Sequence, residues 1–453
     1  ASFISSKWYR TNLHSIVGRR VRACAGMVHA AKALQALSGA WAATVLPYDF
    51  KPLHDPLAVC NDGSQAGYYF RRGQAGTHTW LIYLAGGNWC FDKASCLERC
   101  PPASVQKDFI GDVLCSSRKY PKTLEFGGVL APSNPNSTLA HANKAYVMYC
   151  SSDGHMGDGE AWGLQFRGAR IVEAVFRDLV KHNFLGRSAG YKDLVILGGV
   201  SAGARGAMVH LEYVPQFLAK AGATEEAQVI GLLDSPLWVD IPPMLKSGFY
   251  GFRKSCRNVR KFANVTHLGE ECSKAFPEQQ RFKCLMGQYR MQYIKTPYML
   301  VAALFDSFQL MNNVGEPKET QQETEMDYIV EFGQRTLGLV ETLGAKGGSQ
   351  PRVYFSPSCF SHARSSFPEG FSSEGVDDGT GKIVTMEEAF DVFVLYAQLR
   401  STGDAVSLID RCQGVACGWG CPKPVPGAAG LSQRMLPMLA FLVALAALST
   451  SIL

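Results

Sequence analysis

The chain has 453 residues, 47% of them hydrophobic and 19% charged, with 14 cysteines and a formal net charge of +6. That balance fits a globular protein with room for a large core, and length alone permits one to three domains. Six bases and no acid within residues 1–42 account for all of the net charge, so the remainder is neutral and bulk charge removes nucleic acid from the expected partners.

Residues 1–47 read as a leader with a secretory signal. Arg19, Arg20 and Arg22 precede the small, apolar run 33–43, and Ala40-Trp41-Ala42 is a small-x-small cleavage site. Residues 48–421 read as one α/β unit. Short apolar runs at 80–84, 145–150, 193–200, 298–305 and 353–355 suit buried strands. Helical spacing at 166–180, 206–219 and 386–399 falls between or after them. Strands alternating with helices predict a mostly parallel sheet with helices on both faces. Ligands of such sheets sit beyond the carboxyl ends of the strands.

The first of these runs ends in Gly86-Gly87-Asn88-Trp89-Cys90. A glycine turn after an early strand lets backbone N–H groups approach a substrate, the position of an oxyanion donor in α/β-hydrolases. Run 193–200 leads into Gly199-Val200-Ser201-Ala202-Gly203, a G-x-S-x-G between a strand and a helix. That is the pattern of a nucleophile elbow, with Ser201 as nucleophile and the Ala202 N–H as a second donor at a helix N-terminus. In this fold the acid and then the base follow in sequence. Run 298–305 ends at Asp306. Leu232-Leu233-Asp234 has the same look, and position alone favours Asp306 without excluding Asp234. His362, the last of ten histidines, follows run 353–355. His210 lies about 13 Å along the elbow helix from Ser201, too far for the base, and His155 precedes the acid.

The cysteines point to disulfides in an oxidising compartment, and Cys90–Cys96 is close enough for a local loop. Loss of Cys24 with the leader leaves an odd thiol. Two N-glycosylation sequons start at Asn136 and Asn264. Neither C-x-x-C pairs nor histidines at ligand spacing support a metal. Residues 422–434 read as a Pro/Gly/Ala-rich stalk and 435–453 as a hydrophobic tail. The tail suits a glycosylphosphatidylinositol signal or, less well, a single membrane span, with a soluble protein as the third reading.

Cys60-Asn61-Asp62-Gly63-Ser64, Gly86-Gly87 with Trp89-Cys90, and Tyr149-Cys150-Ser151-Ser152-Asp153 resemble the pectin acetylesterase and Notum family. So do Leu164-Gln165-Phe166-Arg167-Gly168, Ser201-Ala202-Gly203, Asp306-Ser307-Phe308-Gln309 and Ser358-Cys359-Phe360-Ser361-His362. The resemblance runs in order over about residues 50–421. It implies a secreted serine esterase with nucleophile Ser201, acid Asp306 and base His362, and thereby chooses Asp306 over Asp234. It implies oxyanion donors at the N–H groups of Gly87, Asn88 and Ala202, a Cys60–Cys150 disulfide, and no cofactor or metal. The chain departs from the family at Ala85, Asn88 and Ala204, and Leu285-Met286 stands where lipid pockets of this family are aromatic. The expected activity is removal of acyl groups, foremost acetyl, from an extracellular polysaccharide such as pectin. The alternatives are deacylation of a lipid-modified protein and a catalytically silent binding protein. The expected state is a monomer, outside the cell or held at its surface by the tail.

Overall fold

The computed structural model describes residues 47–101, 113–315, 323–346, 350–399, 405–412 and 414–422. The expected signal, stalk and tail lie outside the described residues, apart from Pro47 and Pro422. Sixteen strands occur among the described residues. The first eight are β1 (Tyr48–Pro52), β2 (Gly67–Arg71), β3 (Thr79–Leu84), β4 (Thr123–Leu124), β5 (Asn143–Val147), β6 (Gly159–Ala161), β7 (Leu164–Phe166) and β8 (Leu194–Val200). Then come β9 (Gln228–Asp234), β10 (Tyr298–Val301), β11 (Phe305–Asp306), β12 (Arg352–Ser356), β13 (Phe360–Ser361), β14 (Gly375–Asp377), β15 (Ile383–Thr385) and β16 (Val406–Ile409). Ten of them form one sheet in the order β16-β12-β10-β9-β8-β3-β5-β2-β1-β4. From β16 to β5 every pairing is parallel. β2, β1 and β4 add an antiparallel edge.

The two faces of this sheet follow the alternation of side chains along each strand. Ile82, Leu84, Val195, Leu197, Leu233, Leu300 and Tyr354 share one core with Ile171, Val172, Val175 and Leu179 of helix Gly168–Asn183. Val340 and Leu343 of helix Glu323–Ala345 join that core. Leu81, Tyr83, Leu194, Ile196, Leu232, Met299, Val353 and Phe355 face the other way, against Met386, Phe390, Phe393 and Val394 of helix Met386–Gln398. The sheet is therefore mostly parallel and covered by helices on both faces, as the sequence predicts. Burial on both sides is why β3, β8, β10 and β12 read as apolar runs.

Two expected elements differ. The run 298–305 is not one strand: β10 stops at Val301, and Phe305–Asp306 forms a separate parallel ribbon with Phe360–Ser361. The run 145–150 leaves the sheet after Val147, and its end is tied down by the Cys60–Cys150 disulfide. Six disulfides join Cys60–Cys150, Cys90–Cys96, Cys100–Cys115, Cys272–Cys284, Cys359–Cys421 and Cys412–Cys417. Cys256 is the one free thiol among the described residues, and it is buried.

Candidate active site

β8 ends at Val200, in register with Asp234 of β9, and Ser201 follows with φ +56° and ψ −120°. A non-glycine residue there is strained by about 1–3 kcal/mol. The neighbours hold it. The Ser201 N–H donates to the Asp234 carbonyl at 2.9 Å. Helix Ala202–His210 begins at the next residue, earlier than the spacing at 206–219 predicts. Gly199 and Gly203 make room for the turn: a Cβ on Gly203 would lie 2.0 Å from the Leu84 carbonyl oxygen, and one on Gly199 2.5 Å from the Gly203 carbonyl.

His362 lies just past the β11–β13 ribbon, whose pairing sets Asp306 opposite Ser361. Its Nδ1 is 2.8 Å from Asp306 Oδ2 and its Nε2 is 2.8 Å from Ser201 Oγ. The ionised carboxylate only accepts, so Nδ1–H donates to it and Nε2 is left to accept the Ser201 hydroxyl proton. The other carboxylate oxygen, Oδ1, accepts the Gln309 N–H at 2.9 Å and caps helix Ser307–Val314. Asp306 is thus fixed by a helix start as well as by the imidazole. Burial alone would lower the His362 pKa. The charge and hydrogen bond of Asp306, with the charge of Asp234, outweigh it and hold the imidazole above its ordinary 6.5.

Asp234 does not touch the imidazole through any hydrogen bond. Its Oδ2 accepts from the Ser365 N–H at 2.7 Å and the Ser365 hydroxyl at 2.6 Å, and its Oδ1 from the Ser235 hydroxyl at 2.8 Å. Ser235 Oγ in turn accepts the Ala363 N–H at 3.1 Å. Asp234 therefore grips the loop that follows His362. Complete burial raises its pKa, and these hydrogen bonds oppose that rise.

The turn after β3 packs on the elbow. Gly87 has φ +143° and Asn88 φ +60°. A Cβ on Gly86 would meet the Val200 carbonyl at 3.0 Å, and one on Gly87 the Tyr149 ring at 2.9 Å. Among the described residues no hydrogen bond occupies the N–H of Gly87 or Asn88. The Ala202 N–H is in the first helical turn, where no intrahelical acceptor exists. The Asn88 side chain folds back to accept the Trp89 N–H at 2.8 Å. The Gly87 carbonyl accepts from Arg99 Nη2 at 2.6 Å, and the Cys90–Cys96 disulfide anchors the far end of the turn.

The other two histidines weighed from sequence are held elsewhere. His155 Nε2 bonds the Ala85 carbonyl at 2.9 Å. His210 contacts His267 and the His155 carbonyl. Three aromatic or cationic groups beside the site, Phe308, Trp238 and Arg205, were given no role from the sequence. Phe308 stacks on the His362 ring at 5.1 Å, and Trp238 stacks on Trp89 at 4.0 Å. Arg205 is buried against both indoles. An arginine in the otherwise small and apolar run after Ser201 is the one sequence signal for that burial.

A parallel sheet flanked by helices, with an elbow at a strand end, is an α/β-hydrolase-like architecture. The Pectinacetylesterase family profile matches residues 44–422, most of the chain, and the protein belongs to that family. It is 27% identical over 400 residues to palmitoleoyl-protein carboxylesterase notum2 of Xenopus laevis, covering 85% of this chain and 76% of that one. Human palmitoleoyl-protein carboxylesterase NOTUM is 30% identical over 319 residues, 67% of this chain and 58% of that one. The Drosophila melanogaster protein of the same name is 31% identical over 315 residues, 67% of this chain and 43% of that one. The chain thus spans less than two thirds of the length of the latter two. A crystal structure of the Wnt deacylase Notum from Drosophila superposes with a TM-score of 0.69 at 25% identity, covering 83% of this chain and 100% of that one.

Proposed function

We propose that the protein is a serine carboxylesterase that transfers the acyl group of an extracellular ester to water. The continuous hydrogen-bonded path from Asp306 through His362 to Ser201, 2.8 Å at each step, carries this reading. His362 takes the Ser201 proton as Oγ attacks the ester carbonyl, and Asp306 orients the imidazole and stabilises its charged form. The N–H groups of Gly87, Asn88 and Ala202 receive the oxyanion. The imidazolium gives its proton to the leaving alcohol, and a water then repeats the sequence on the acyl-enzyme. The residues supply every proton transfer, so the reaction calls for neither metal nor organic cofactor.

An acetylated polysaccharide such as pectin is the first substrate reading, supported by the Pectinacetylesterase profile over residues 44–422. A lipid-modified protein is the second, supported by relatives named as palmitoleoyl-protein carboxylesterases. Six disulfides suit an oxidising, extracellular setting. Asn136 and Asn264 are exposed, as glycan acceptors must be. Attachment through the tail completes the reading, and release by phosphatidylinositol-specific phospholipase C would separate a lipid anchor from a span. No helix among the described residues is long and apolar enough to cross a membrane. A fluorophosphonate probe tests the chemistry. Labelling of the wild type that Ser201→Ala abolishes is expected. A folded protein that takes no label would be a silent scaffold.

A further inference from the structure

Gly87 and Asn88 share a peptide unit, and in a trans peptide the Gly87 carbonyl and the Asn88 N–H point in opposite directions. Arg99 Nη2 donates to that carbonyl at 2.6 Å. Arg99 closes helix Lys93–Arg99, between the Cys90–Cys96 and Cys100–Cys115 disulfides. Its Nε donates to Ser152 Oγ at 2.8 Å. The Ser152 hydroxyl gives its own hydrogen to Asn61 Oδ1 at 2.6 Å, so toward Arg99 it can only accept. Among the described residues both acceptors of the guanidinium are neutral, a hydroxyl and a carbonyl. The Tyr149 ring centroid lies 5.5 Å from the guanidinium carbon, and the same ring covers Gly87, where a Cβ would come within 2.9 Å of it. On the other side of the peptide, Asn88 has φ +60° and its N–H has no acceptor among the described residues. Gly86, which opens the turn, lies against the elbow: a Cβ there would meet Ser201 Cβ at 3.3 Å.

We infer that Arg99 is a positioning residue for the oxyanion: it latches the Gly87–Asn88 peptide with the Asn88 N–H turned toward the nucleophile, and it polarises that N–H. The inference rests on the esterase reading, with Asn88 as a donor, and adds the group that sets the donor's orientation. Rotating this peptide by half a turn would take Asn88 from φ +60° to about −120°, a region that non-glycine residues ordinarily occupy. Local sterics therefore favour the flipped peptide. The flip would aim the Gly87 carbonyl oxygen where the Asn88 N–H now points, and so replace a donor by an acceptor that repels the oxyanion. It would also carry the carbonyl away from Arg99 and leave a charged donor without its partner, a loss that opposes the flip. The same charge-assisted bond draws electron density onto the carbonyl oxygen and leaves the N–H of that peptide more positive, which makes it a stronger donor to an anion. Arginine keeps its charge at every working pH, so the latch does not titrate with the imidazole.

The test uses the full chain as wild type, Arg99→Ala and Arg99→Lys, with active sites counted by fluorophosphonate so that kcat refers to each competent Ser201. The substrate is nitrophenyl acetate, and the second probe is a trifluoromethyl ketone, which adds to the serine as an oxyanion. Arg99→Ala should lower kcat per site about a hundred-fold while KM stays within about two-fold. Affinity for the ketone should fall by the same factor as kcat/KM. Lysine keeps a charge but not the fork that spans Ser152 and Gly87, so Arg99→Lys should lose only about ten-fold. An arginine that merely supports the fold would lower Tm and the fraction of sites that take the label, with kcat per site unchanged. That outcome overturns the inference and leaves the esterase intact, as does a fall in kcat without a fall in ketone affinity. If Arg99→Ala does not fold, Arg99→Lys decides by the same two readouts. A wild type that takes no fluorophosphonate and hydrolyses no ester removes the esterase reading, and this inference with it.

Discussion

Ser201, His362 and Asp306 form a short hydrogen-bonded relay, and its two ends predict losses of different size. Ser201→Ala or His362→Ala should lower kcat by about 10³-fold or more, and Asp306→Asn somewhat less. Asp234→Asn replaces one of two accepting oxygens by an amide NH2 and so opposes one or two of the three donors that now point there. It should cost about 1–3 kcal/mol of stability, read as a lower Tm, while retaining turnover. A stable Asp234→Asn protein without turnover, beside an active Asp306→Asn protein, would reverse the two roles. The raised pKa of His362 sets a sign for the pH profile. In the proposed mechanism the neutral imidazole is the base, so kcat/KM should fall as pH drops through a value above 6.5, not below it. Removing the Asp234 charge should move that limb to lower pH. The sequence made Ser201 and His362 legible because strand, glycines and chain order mark them. It left two acids open on position, since both Asp234 and Asp306 follow apolar runs. Only the resemblance separated them, and the ribbon that sets Asp306 beside Ser361 is a pairing between residues far apart in sequence.

The elbow as an element depends on how closely the helix approaches the sheet. Gly203→Ala puts a methyl 2.0 Å from the Leu84 carbonyl oxygen, a backbone atom that cannot swing away. It should destabilise by about 3 kcal/mol and suppress Ser201 labelling. Gly338 is the contrast. It is exposed within helix Glu323–Ala345, and a Cβ there meets nothing within 4 Å. Gly338→Ala should raise stability by about 0.5–1 kcal/mol in denaturant melts, and a loss instead would show that the helix needs its glycine. The strands buried on both faces were legible as apolar runs. Strands β1 and β2 of the antiparallel extension were not, because Tyr48–Pro52 and Gly67–Arg71 mix polar, aromatic and glycine or proline residues. Helix Glu323–Ala345 escaped notice too; its first turns carry Glu323, Glu325 and Asp327 among few apolar residues.

At the scale of the molecule the disulfides divide by the length of chain they close. Cys359–Cys421 spans 62 residues and starts three residues before His362, whereas Cys412–Cys417 spans 5. In the chain-entropy account the first contributes about 4 kcal/mol and the second about 2 kcal/mol. Replacing each pair by serines should lower Tm in that order, with only the first also lowering kcat through the His362 loop. Equal losses would remove loop length as the cause. Oxidised cysteines were legible from their number, and the local Cys90–Cys96 loop from spacing. Cys100–Cys115, Cys272–Cys284 and Cys359–Cys421 were not, because bridge partners are set by tertiary folding rather than by local pattern.

The stacked Trp89 and Trp238 also have an optical consequence. Two indoles with centroids 4.0 Å apart and planes tilted by 26° couple their electronic transitions. They should give a paired positive and negative band in circular dichroism, which Trp238→Leu would erase. The adjacent guanidinium and the Phe308 link to His362 make that band sensitive to the occupant of the site. Acylation of Ser201 could then be followed in native protein without a chromogenic ester.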